Sequence, residues 1–246
     1  MRKLAAVILA AGKGSRMKSD LPKVFHEVLG EPMLTYVLAS VKQLSPDITC
    51  LVVGHKRDLI MDYYKEWPLK FVIQEEQLGT GHAVMQAKPF LEDFSGDILI
   101  LNGDVPLISG KTLQELLNFH REKGAAATDL TALLPEAGNY GRIVRNERGE
   151  IEKIVEKKDA TPAELQIKEI NTGTFCFDKE ALFLALAEVR AENAQQEYYL
   201  TDSIEILRRR GRPVYACPAA DASETLGVNT KEELVEIEKI LLARRG

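Results

Sequence analysis

The chain has 246 residues, of which 45% are hydrophobic and 28% charged, a balance that suits one large α/β domain or a domain with a small appendage. The formal net charge of -5 argues against a nucleic-acid partner, because proteins that bind nucleic acids usually carry a basic excess. No apolar run approaches the ~20 residues of a membrane-spanning helix, and the first one leads into Gly-Lys-Gly instead of a cleavage site. We therefore expect a cytoplasmic protein without a membrane partner, with its three scattered cysteines reduced.

Short apolar runs alternate with helical patterns in the first half of the chain. Strands are predicted by the apolar runs at 4–9, 50–53, 70–73 and 98–101. Helices are predicted where apolar residues keep helical spacing, at 33–44 and at 113–120, the second closed by Gly124. Strands separated by helices favour an α/β fold with a mostly parallel sheet.

The second half mixes strands and helices without a linker that would separate two domains. Strands are predicted at 128–134 and 141–145, followed by a hairpin turn at 146–149, and further strands at 151–155 and 175–177. A helix is predicted at 181–189 and a charged amphipathic one at 231–245, where Thr230 and Glu233 have the spacing of a capping box. We expect this last helix to pack on the domain. The sequence Asn-Thr-Gly at 171–173 is, by itself, typical of a turn.

A basic, glycine-rich loop follows the first predicted strand. It reads Leu-Ala-Ala-Gly-Lys-Gly-Ser-Arg-Met over residues 9–17 and continues to Leu-Pro-Lys at 21–23. Its small residues let backbone N–H groups approach a phosphate or a base, and Lys13, Arg16 and Lys23 bring three positive charges to one place. The spacing matches neither GxGxxG nor GxxxxGK[ST], so a dinucleotide oxidoreductase is not expected.

Asp104 stands just after the apolar run at 98–101. In open α/β sheets, ligands bind beyond the carboxyl ends of the strands. Mg²⁺ commonly takes one or two carboxylates together with phosphate oxygens and water. The pattern therefore predicts a magnesium ligand, although an aspartate that caps the following turn would give the same pattern.

A third motif, Gln-Glu-Glu-Gln-Leu-Gly-Thr-Gly-His-Ala, covers residues 74–83. The amide of Gln74 can pair with the imide edge of uracil, but it can also turn to meet cytosine, so it leaves the base open. Gly79 and Gly81 would let the main chain lie against the ring. His82, at the start of a predicted helix, is interpreted as structural, since no histidine stands in a metal or triad spacing.

Together these strings resemble the uridylyltransferase domain of the bacterial bifunctional N-acetylglucosamine-1-phosphate uridylyltransferase family. The resemblance extends, in the same order, through Gly-Asp-Val-Pro-Leu-Ile at 103–108, Tyr-Gly-Arg-Ile at 140–143, Ile-Val-Glu-Lys-Lys-Asp-Ala at 154–160, Glu-Ile-Asn-Thr-Gly at 169–173, Glu-Tyr-Tyr-Leu-Thr-Asp at 197–202 and Gly-Val-Asn at 227–229. It implies a Rossmann-like nucleotidyltransferase domain over residues 1–229, with a mixed, mostly parallel central sheet, and a C-terminal helix over 230–246.

The resemblance also implies a diphosphorylase that uses Mg²⁺ and joins UTP to a sugar 1-phosphate, N-acetylglucosamine 1-phosphate. The catalytic residues would be Arg16, Lys23 and Asp104. The nucleotide would be bound by Leu9, Ala10, Ala11, Gly12, Gly14, Lys23, Gln74, Gln77, Gly79, Thr80 and Gly103. The sugar would be bound by Gly141, Glu156, Asn171, Tyr199 and Thr201, and the metal by Asp104 and Asn229.

The chain departs from this family at two points. Asn102 stands where an aromatic residue is expected, next to the ribose. The hexapeptide-repeat β-helix of the bifunctional family is not found before Gly246, so acetyltransferase activity is not expected. Three alternatives stay open: CTP or dTTP as donor, another hexose phosphate as acceptor, or a sensor that binds a UDP-sugar without turnover. The oligomeric state is open as well, an oligomer included.

Overall fold

A nine-stranded sheet forms the centre of the molecule over residues 2–245, the part of the chain that the computed structural model describes. The strands are β1 (Lys3–Ala10), β2 (Glu27–Val28), β3 (Glu31–Pro32), β4 (Ile48–Val53), β5 (Lys70–Ile73), β6 (Gly96–Asn102), β7 (Ala127–Leu133), β8 (Arg142–Arg145), β9 (Ile151–Val155), β10 (Glu169–Asp178) and β11 (Val214–Pro218). The helices are α1 (Met33–Lys42), α2 (Arg57–Tyr63), α3 (Thr80–Gln86), α4 (Gly110–Glu122), α5 (Lys179–Leu186), α6 (Asp202–Arg209) and α7 (Lys231–Arg245).

The strand order of the sheet is β11-β7-β10-β6-β1-β4-β5, with β8 beside β10 and β9 beside β8; β2 and β3 form a separate pair. The strands β6, β1, β4 and β5 are parallel, as the alternation of strands and helices predicts. β10 runs antiparallel to both β6 and β7, so the sheet is mixed. The expected α/β fold with a mixed central sheet is confirmed.

Helices cover both faces of the sheet, because successive residues of the buried strands point to opposite sides. On β1, Val7 belongs to the core beneath α3, α5 and α6, whereas Ile8 belongs to the core beneath α1, α2 and α4. Both side chains are fully buried. A strand that is buried on both faces reads as a continuous apolar run, which is why the sequence predicts β1 and β6 so clearly.

β10 is longer than predicted. The sequence predicts a strand only at 175–177 and a turn at 171–173, but all these residues lie in one ten-residue strand. Its register against β7 shifts between Asn171 and Phe175, and Gly173 has a φ of +77°. A bulge built on a glycine with positive φ lets a turn-like sequence continue a strand. The sequence analysis also does not predict α2, α6 and β11, which are short elements of seven, eight and five residues.

α7 confirms the predicted C-terminal helix and its capping box. The Glu233 N–H donates to Thr230 Oγ1 at 3.2 Å, and the Thr230 N–H donates to Glu233 Oε2 at 3.2 Å. Ile237 is buried with Met17 and Val28, so the helix packs on the domain as expected. The boundary between the nucleotidyltransferase domain (1–229) and the C-terminal helix (230–246) stays a prediction. The first and last residues of these ranges, Met1 and Gly246, lie outside the described residues.

Asp97 anchors the edge of the sheet opposite the strands' carboxyl ends. Its side chain is fully buried, and Arg2 Nε and Arg121 Nε lie 2.8 and 2.7 Å from its two carboxylate oxygens. Burial alone would raise the pKa of Asp97, but the neighbouring His120 ring, the hydrogen bond from Arg121 and the charge of Arg2 outweigh it and lower the pKa. The carboxylate therefore ties the N-terminus to the end of α4.

The three cysteines are free thiols, as expected: Cys50 and Cys176 are buried and Cys217 is partly buried. Within residues 2–245, no helix combines the length and the apolar character needed to cross a lipid bilayer.

Candidate functional site

Two adjoining cavities open at the carboxyl ends of β1 and β6. The loop-side cavity, over the loop that follows β1, has a volume of about 440 Å³. The β10-side cavity, against β10, has a volume of about 350 Å³. Both volumes are typical of small-molecule sites. The walls of both cavities include Leu9, Arg16, Thr80, Asn102 and Asp104. Two ligand-sized spaces therefore share one wall.

The loop-side cavity gathers nearly all the residues predicted to bind a nucleotide. Its wall includes Leu9, Ala10, Ala11, Gly12, Gly14, Lys23, Gln74, Gln77, Gly79 and Thr80. Gly103, the remaining residue predicted to bind the nucleotide, lines neither cavity. Its N–H donates to the Leu9 carbonyl oxygen at 2.9 Å, and a Cβ there would lie 3.1 Å from both that oxygen and Val24. Gly103 thus holds the ends of β1 and β6 together beneath the cavity.

Gln74 is buried at the base of the loop-side cavity, with 3% of its surface exposed. Its Nε2 donates to the Gly79 carbonyl oxygen at 3.2 Å and lies 3.0 Å from His82 Nδ1. The side-chain amide nitrogen is therefore directed toward the protein, and the amide oxygen is the group available to a ligand. His82 supports this orientation, in keeping with its predicted structural role.

Gly79, the N-cap residue just before α3, has a φ of +108°, a conformation that residues with a side chain rarely adopt. A Cβ there would lie 2.6 Å from the Tyr198 carbonyl oxygen. Next to it, the Leu200 N–H donates to Thr80 Oγ1 at 3.1 Å. The chain around Gly79 is therefore packed against the segment that leads to Thr201, which belongs to the other cavity. This contact joins the two walls.

A cluster of charged and polar side chains lies where the two cavities meet. Lys23 forms an ion pair with the Asp104 carboxylate, and its Nζ lies 2.6 Å from Asn229 Oδ1. The same Asn229 oxygen accepts a hydrogen bond from Arg16 Nη2 at 2.8 Å. The structure thus brings together the three predicted catalytic residues and both predicted metal ligands, although they come from positions up to 213 residues apart.

This cluster fits a divalent cation. The side-chain oxygens of Asp104 and Asn229 converge on one positively charged group, the Lys23 ammonium. Hard divalent cations prefer oxygen ligands of these two kinds. The residues from 2 to 245 contain no group of three or more His, Cys, Asp or Glu side chains that could hold a metal. An ion here would therefore take its remaining ligands from substrate phosphates and water.

The β10-side cavity contains four of the five predicted sugar-binding residues, Gly141, Glu156, Asn171 and Thr201. Thr201 Oγ1 donates to Glu156 Oε1 at 3.3 Å. Burial is the main cause that raises the pKa of Glu156, and the charges of Asp202 and Asp159 raise it further. Gly141 leaves space beside Glu156, because a Cβ there would lie 3.4 Å from Glu156 Oε1. The cavity floor is therefore polar and able to bind hydroxyl or amide groups.

Tyr199, the fifth residue predicted to bind the sugar, lines neither cavity. Its hydroxyl accepts a hydrogen bond from Gln195 Nε2 at 2.8 Å and donates to Asp159 Oδ2 at 3.3 Å. The ring is 7% exposed. Tyr199 therefore packs behind Thr201 and supports the wall instead of forming it.

The sequence analysis assigns no role to Tyr140, Arg142 and Gly173, which the structure places at or beneath the β10-side cavity. Tyr140 Oη accepts a hydrogen bond from the Gly227 N–H at 2.9 Å. The buried Arg142 donates to the carbonyl oxygens of Ala137, Gly138 and Tyr140 and so holds the loop before β8. Tyr140 and Arg142 belong to the string Tyr-Gly-Arg-Ile, but spacing alone does not say which residue of that string faces a ligand.

A sheet with a basic, glycine-rich loop after β1 and a cation-binding cluster beyond β6 defines a nucleotide-binding α/β enzyme. The family model for nucleotidyl transferases matches residues 5–228, and the chain belongs to this family. Enzymes of this family bind a nucleoside triphosphate and a sugar phosphate and generally use a divalent metal ion.

Curated relatives agree with the family and refine it. The chain is 51% identical over 244 residues to the bifunctional protein GlmU of Brevibacillus brevis, which covers 99% of this chain and 53% of that protein. It is 51% identical over 239 residues to the bifunctional protein GlmU of Streptococcus gordonii, covering 97% of this chain and 52% of that protein. The chain thus spans about half the length of these relatives. The resemblance expected from the motifs is confirmed.

Solved structures confirm the fold. UDP-glucose pyrophosphorylase complexed with UDP-glucose is similar over 99% of this chain and 100% of that one, with a TM-score of 0.77 and 17% identity. The apo form of UDP-glucose pyrophosphorylase gives a TM-score of 0.78, also at 17% identity.

Proposed function

We propose that this chain transfers a uridylyl group from UTP to N-acetylglucosamine 1-phosphate, giving UDP-N-acetylglucosamine and pyrophosphate. The observation that carries the proposal is the position of Lys23, Asp104 and Asn229 between two ligand-sized cavities. The motif resemblance and the similarity to the bifunctional GlmU proteins support the choice of substrates. A cytoplasmic location stays a prediction.

The orientation of Gln74 supports uracil as the base. Its amide nitrogen is bonded to the Gly79 carbonyl oxygen, so its oxygen is left to meet the base. The imide N–H of uracil donates to such an oxygen, whereas the corresponding ring nitrogen of cytosine is an acceptor and would be repelled. The same argument admits thymine, so the choice between UTP and dTTP depends on contacts to the ribose, where Asn102 lies.

The polar floor of the β10-side cavity supports an amino-sugar phosphate as the acceptor. Asn171 and Glu156 provide amide and carboxyl groups for the sugar's hydroxyl and acetamido groups. Asn171 Oδ1 accepts a hydrogen bond from the Gly173 N–H at 2.8 Å, which leaves its amide N–H groups available to a sugar oxygen. The cavity meets Asp104 at its inner end, where the phosphate of the sugar would lie.

The chemistry that we propose needs no general base, because the attacking phosphate oxygen is already anionic. A bond forms between that oxygen and the α-phosphorus of UTP, while the bond from the α-phosphorus to the pyrophosphate oxygen breaks. Lys23 holds the two phosphates together and Arg16 neutralises the leaving pyrophosphate. A bound Mg²⁺, held by Asp104 and Asn229, would supply further neutralisation of the phosphate charge.

A substrate panel tests this proposal. The purified chain is incubated with Mg²⁺ and each combination of UTP, dTTP, CTP or ATP with N-acetylglucosamine 1-phosphate or glucose 1-phosphate, and pyrophosphate release is measured. We expect the highest kcat/KM for UTP with N-acetylglucosamine 1-phosphate. A higher kcat/KM for CTP would contradict the Gln74 argument, and one for glucose 1-phosphate would contradict the acceptor. Tight binding of UDP-N-acetylglucosamine without pyrophosphate release from any pair would favour the sensor.

A further inference from the structure

Asn229 is the one member of the charged cluster that is not held by the central sheet or the loop after β1. It lies between the short helical turn Ala222–Thr225 and α7. Asp104, in contrast, directly follows the buried strand β6. The position of the Asn229 side chain therefore depends on what holds the segment from 227 to 230.

Two hydrogen bonds tie the start of this segment to the cavity wall. The Val228 N–H donates to the Asp104 carbonyl oxygen at 2.9 Å, and the Gly227 N–H donates to Tyr140 Oη at 2.9 Å. Val228 itself is fully buried. These contacts fix the chain up to the residue before Asn229, but none of them involves Asn229.

Glu233, in the first turn of α7, holds the remainder of this segment, residues 229 and 230. Its Oε2 accepts hydrogen bonds from the Asn229 N–H at 2.5 Å and from the Thr230 N–H at 3.2 Å. A capping box normally satisfies the N–H of the capping residue alone. Here the same carboxylate also reaches the N–H of Asn229, so one side chain sets both the start of the helix and the backbone of the proposed metal ligand. Glu233 also lies in the wall of the β10-side cavity.

We infer that Glu233 is a positioning residue for the divalent metal, acting through the backbone of Asn229. This inference rests on the proposed function. With the carboxylate in place, Asn229 Oδ1 accepts hydrogen bonds from Lys23 Nζ and Arg16 Nη2, and the same Lys23 pairs with Asp104. Without the Glu233 carboxylate, the N–H groups of Asn229 and Thr230 lose their partner and the backbone of these two residues can rotate away, so that the metal would keep Asp104 but lose its amide ligand. Partners that orient a ligand typically contribute about 10–100-fold to metal affinity.

The test measures Mn²⁺ affinity by electron paramagnetic resonance in the presence of saturating UTP, for the wild type, Glu233→Ala, Glu233→Gln and Glu236→Ala. Glu236 is the matched control, since it lies on the same helix and is exposed in a pair with Lys239. We expect Glu233→Ala to bind Mn²⁺ about tenfold more weakly. Glu233→Gln should remain close to the wild type, because the amide oxygen can still accept both hydrogen bonds.

A second measurement separates positioning from folding. Amide hydrogen exchange of residues 229 and 230 is followed in the metal-free protein, where we expect Glu233→Ala to exchange faster at these amides while those of β1 and β6 are unchanged. Equal Mn²⁺ affinity in the wild type and Glu233→Ala would overturn the inference, as would an equal loss in Glu233→Gln and Glu233→Ala. If the wild type itself releases no pyrophosphate from UTP and binds no Mn²⁺, it is the proposed function that fails.

Discussion

At the scale of single residues, Asp104 makes the largest contribution to the proposed chemistry. Its carboxylate is 18% exposed, pairs with Lys23 and lies at the wall shared by the two cavities. No other acidic side chain among residues 2–245 lines both cavities. A metal ion or a phosphate-bound cation at the wall shared by the two cavities would therefore have one carboxylate ligand from the protein, that of Asp104.

We expect Asp104→Ala to lower kcat for pyrophosphate release by about 10²–10³, the usual cost of one charge-stabilising group in a preorganised site. The fold should persist, because the side chain is not part of either apolar core. Steady-state kinetics with UTP and N-acetylglucosamine 1-phosphate provide the measurement. Asp93→Ala, a change at an exposed position before β6, is the control and should leave kcat unchanged. Full pyrophosphate release by Asp104→Ala would end the assignment of Asp104 to the metal.

Asp129 is a buried acid that the proposed chemistry does not use. It is fully buried on β7, and neither carboxylate oxygen has a hydrogen-bond partner. Burial raises its pKa well above the ordinary value, and the charges of Glu169 and Glu156 add to this effect. The folded protein therefore keeps the proton to a higher pH than the unfolded chain, which loses it near pH 4.

The sign of the resulting pH dependence follows from this difference. Stability from the protonated Asp129 is fully present below the unfolded pKa and is lost as the pH rises toward the folded pKa, at up to about 1.4 kcal/mol per pH unit. Asparagine does not titrate, so we expect Asp129→Asn to gain stability relative to the wild type from pH 5 to pH 7. Urea unfolding at each pH measures the difference, with Asp93→Asn as the exposed control. Parallel pH profiles for wild type and Asp129→Asn would show that the carboxyl is not protonated.

The residues of the site could be predicted unequally from the sequence. Lys23 belongs to the segment that follows β1, and Asp104 follows β6. The carboxyl ends of parallel strands lie at one edge of a sheet, so the sequence predicts that these two residues lie close together. Asn229 was found only through the family resemblance, because it follows no strand. Tyr199 and Gly103 belong to the matching strings but line neither cavity, and a matching string does not distinguish a side chain that faces a ligand from one that holds its neighbour.

At the scale of secondary-structure elements, the bulge in β10 shapes the wall between the cavities. Gly173 has a φ of +77°, and a Cβ there would run into the Asn102 side-chain amide at the end of β6. Asn102 itself lines both cavities. The bulge thus lets two neighbouring strands approach closely where the donor and acceptor spaces meet.

We expect Gly173→Ala to reduce the free energy of unfolding by about 1–2 kcal/mol, the cost of a side chain at positive φ, and to raise KM for N-acetylglucosamine 1-phosphate by displacing Asn102. Gly149→Ala is the matched control. It has a φ of +75° in the turn between β8 and β9, and nothing lies within 4 Å of the added Cβ. Urea unfolding should show a similar loss for both variants, and kinetics a change only for Gly173→Ala. An unchanged KM in Gly173→Ala would mean that Asn102 does not position the acceptor.

Elements with a complete pattern were predicted well, and elements shaped by their neighbours were not. β5, β9 and α7 have the predicted bounds because an apolar run or stripe with clear end signals defines each of them. α2 buries only Ile60, so its sequence lacks a stripe to recognise. The continuation of β10 through Asn-Thr-Gly depends on β7 and β6, the strands at its two sides. The local sequence does not indicate which strands will pair with it.

At the scale of the whole molecule, the sheet is divided between the two proposed substrates. The end of β1, the loop after it and the segment after β5 line the loop-side cavity, whereas residues of β10 and residues next to β8 and β9 line the β10-side cavity, and β6 lies between the two groups. A nucleotide that binds the folded chain and not the unfolded one stabilises the fold by mass action.

We expect UTP with Mg²⁺, at 100 times its dissociation constant, to stabilise the folded chain by about 2.7 kcal/mol and to raise the unfolding midpoint by about 5–10 °C. UTP without a divalent ion should give a smaller shift, because the triphosphate then lacks part of its counter-charge. ATP at the same concentration should also give less, since the purine does not match Gln74. Differential scanning fluorimetry provides the midpoints. An identical shift with all three ligands would contradict a base-specific, metal-assisted site.

The place of β6 between the two groups of strands has a consequence for how such enzymes diversify. Under the proposed function, substitutions around Gly141, Glu156 and Asn171 would alter the choice of sugar without changing the loop after β1, and substitutions near Gln74 would alter the choice of base without changing the β10-side cavity. Asn102 and Asp104 line both cavities, so a substitution at either position would affect both proposed ligands. In this arrangement the two proposed specificities can be changed separately at the flanks, whereas the end of β6 is constrained by both.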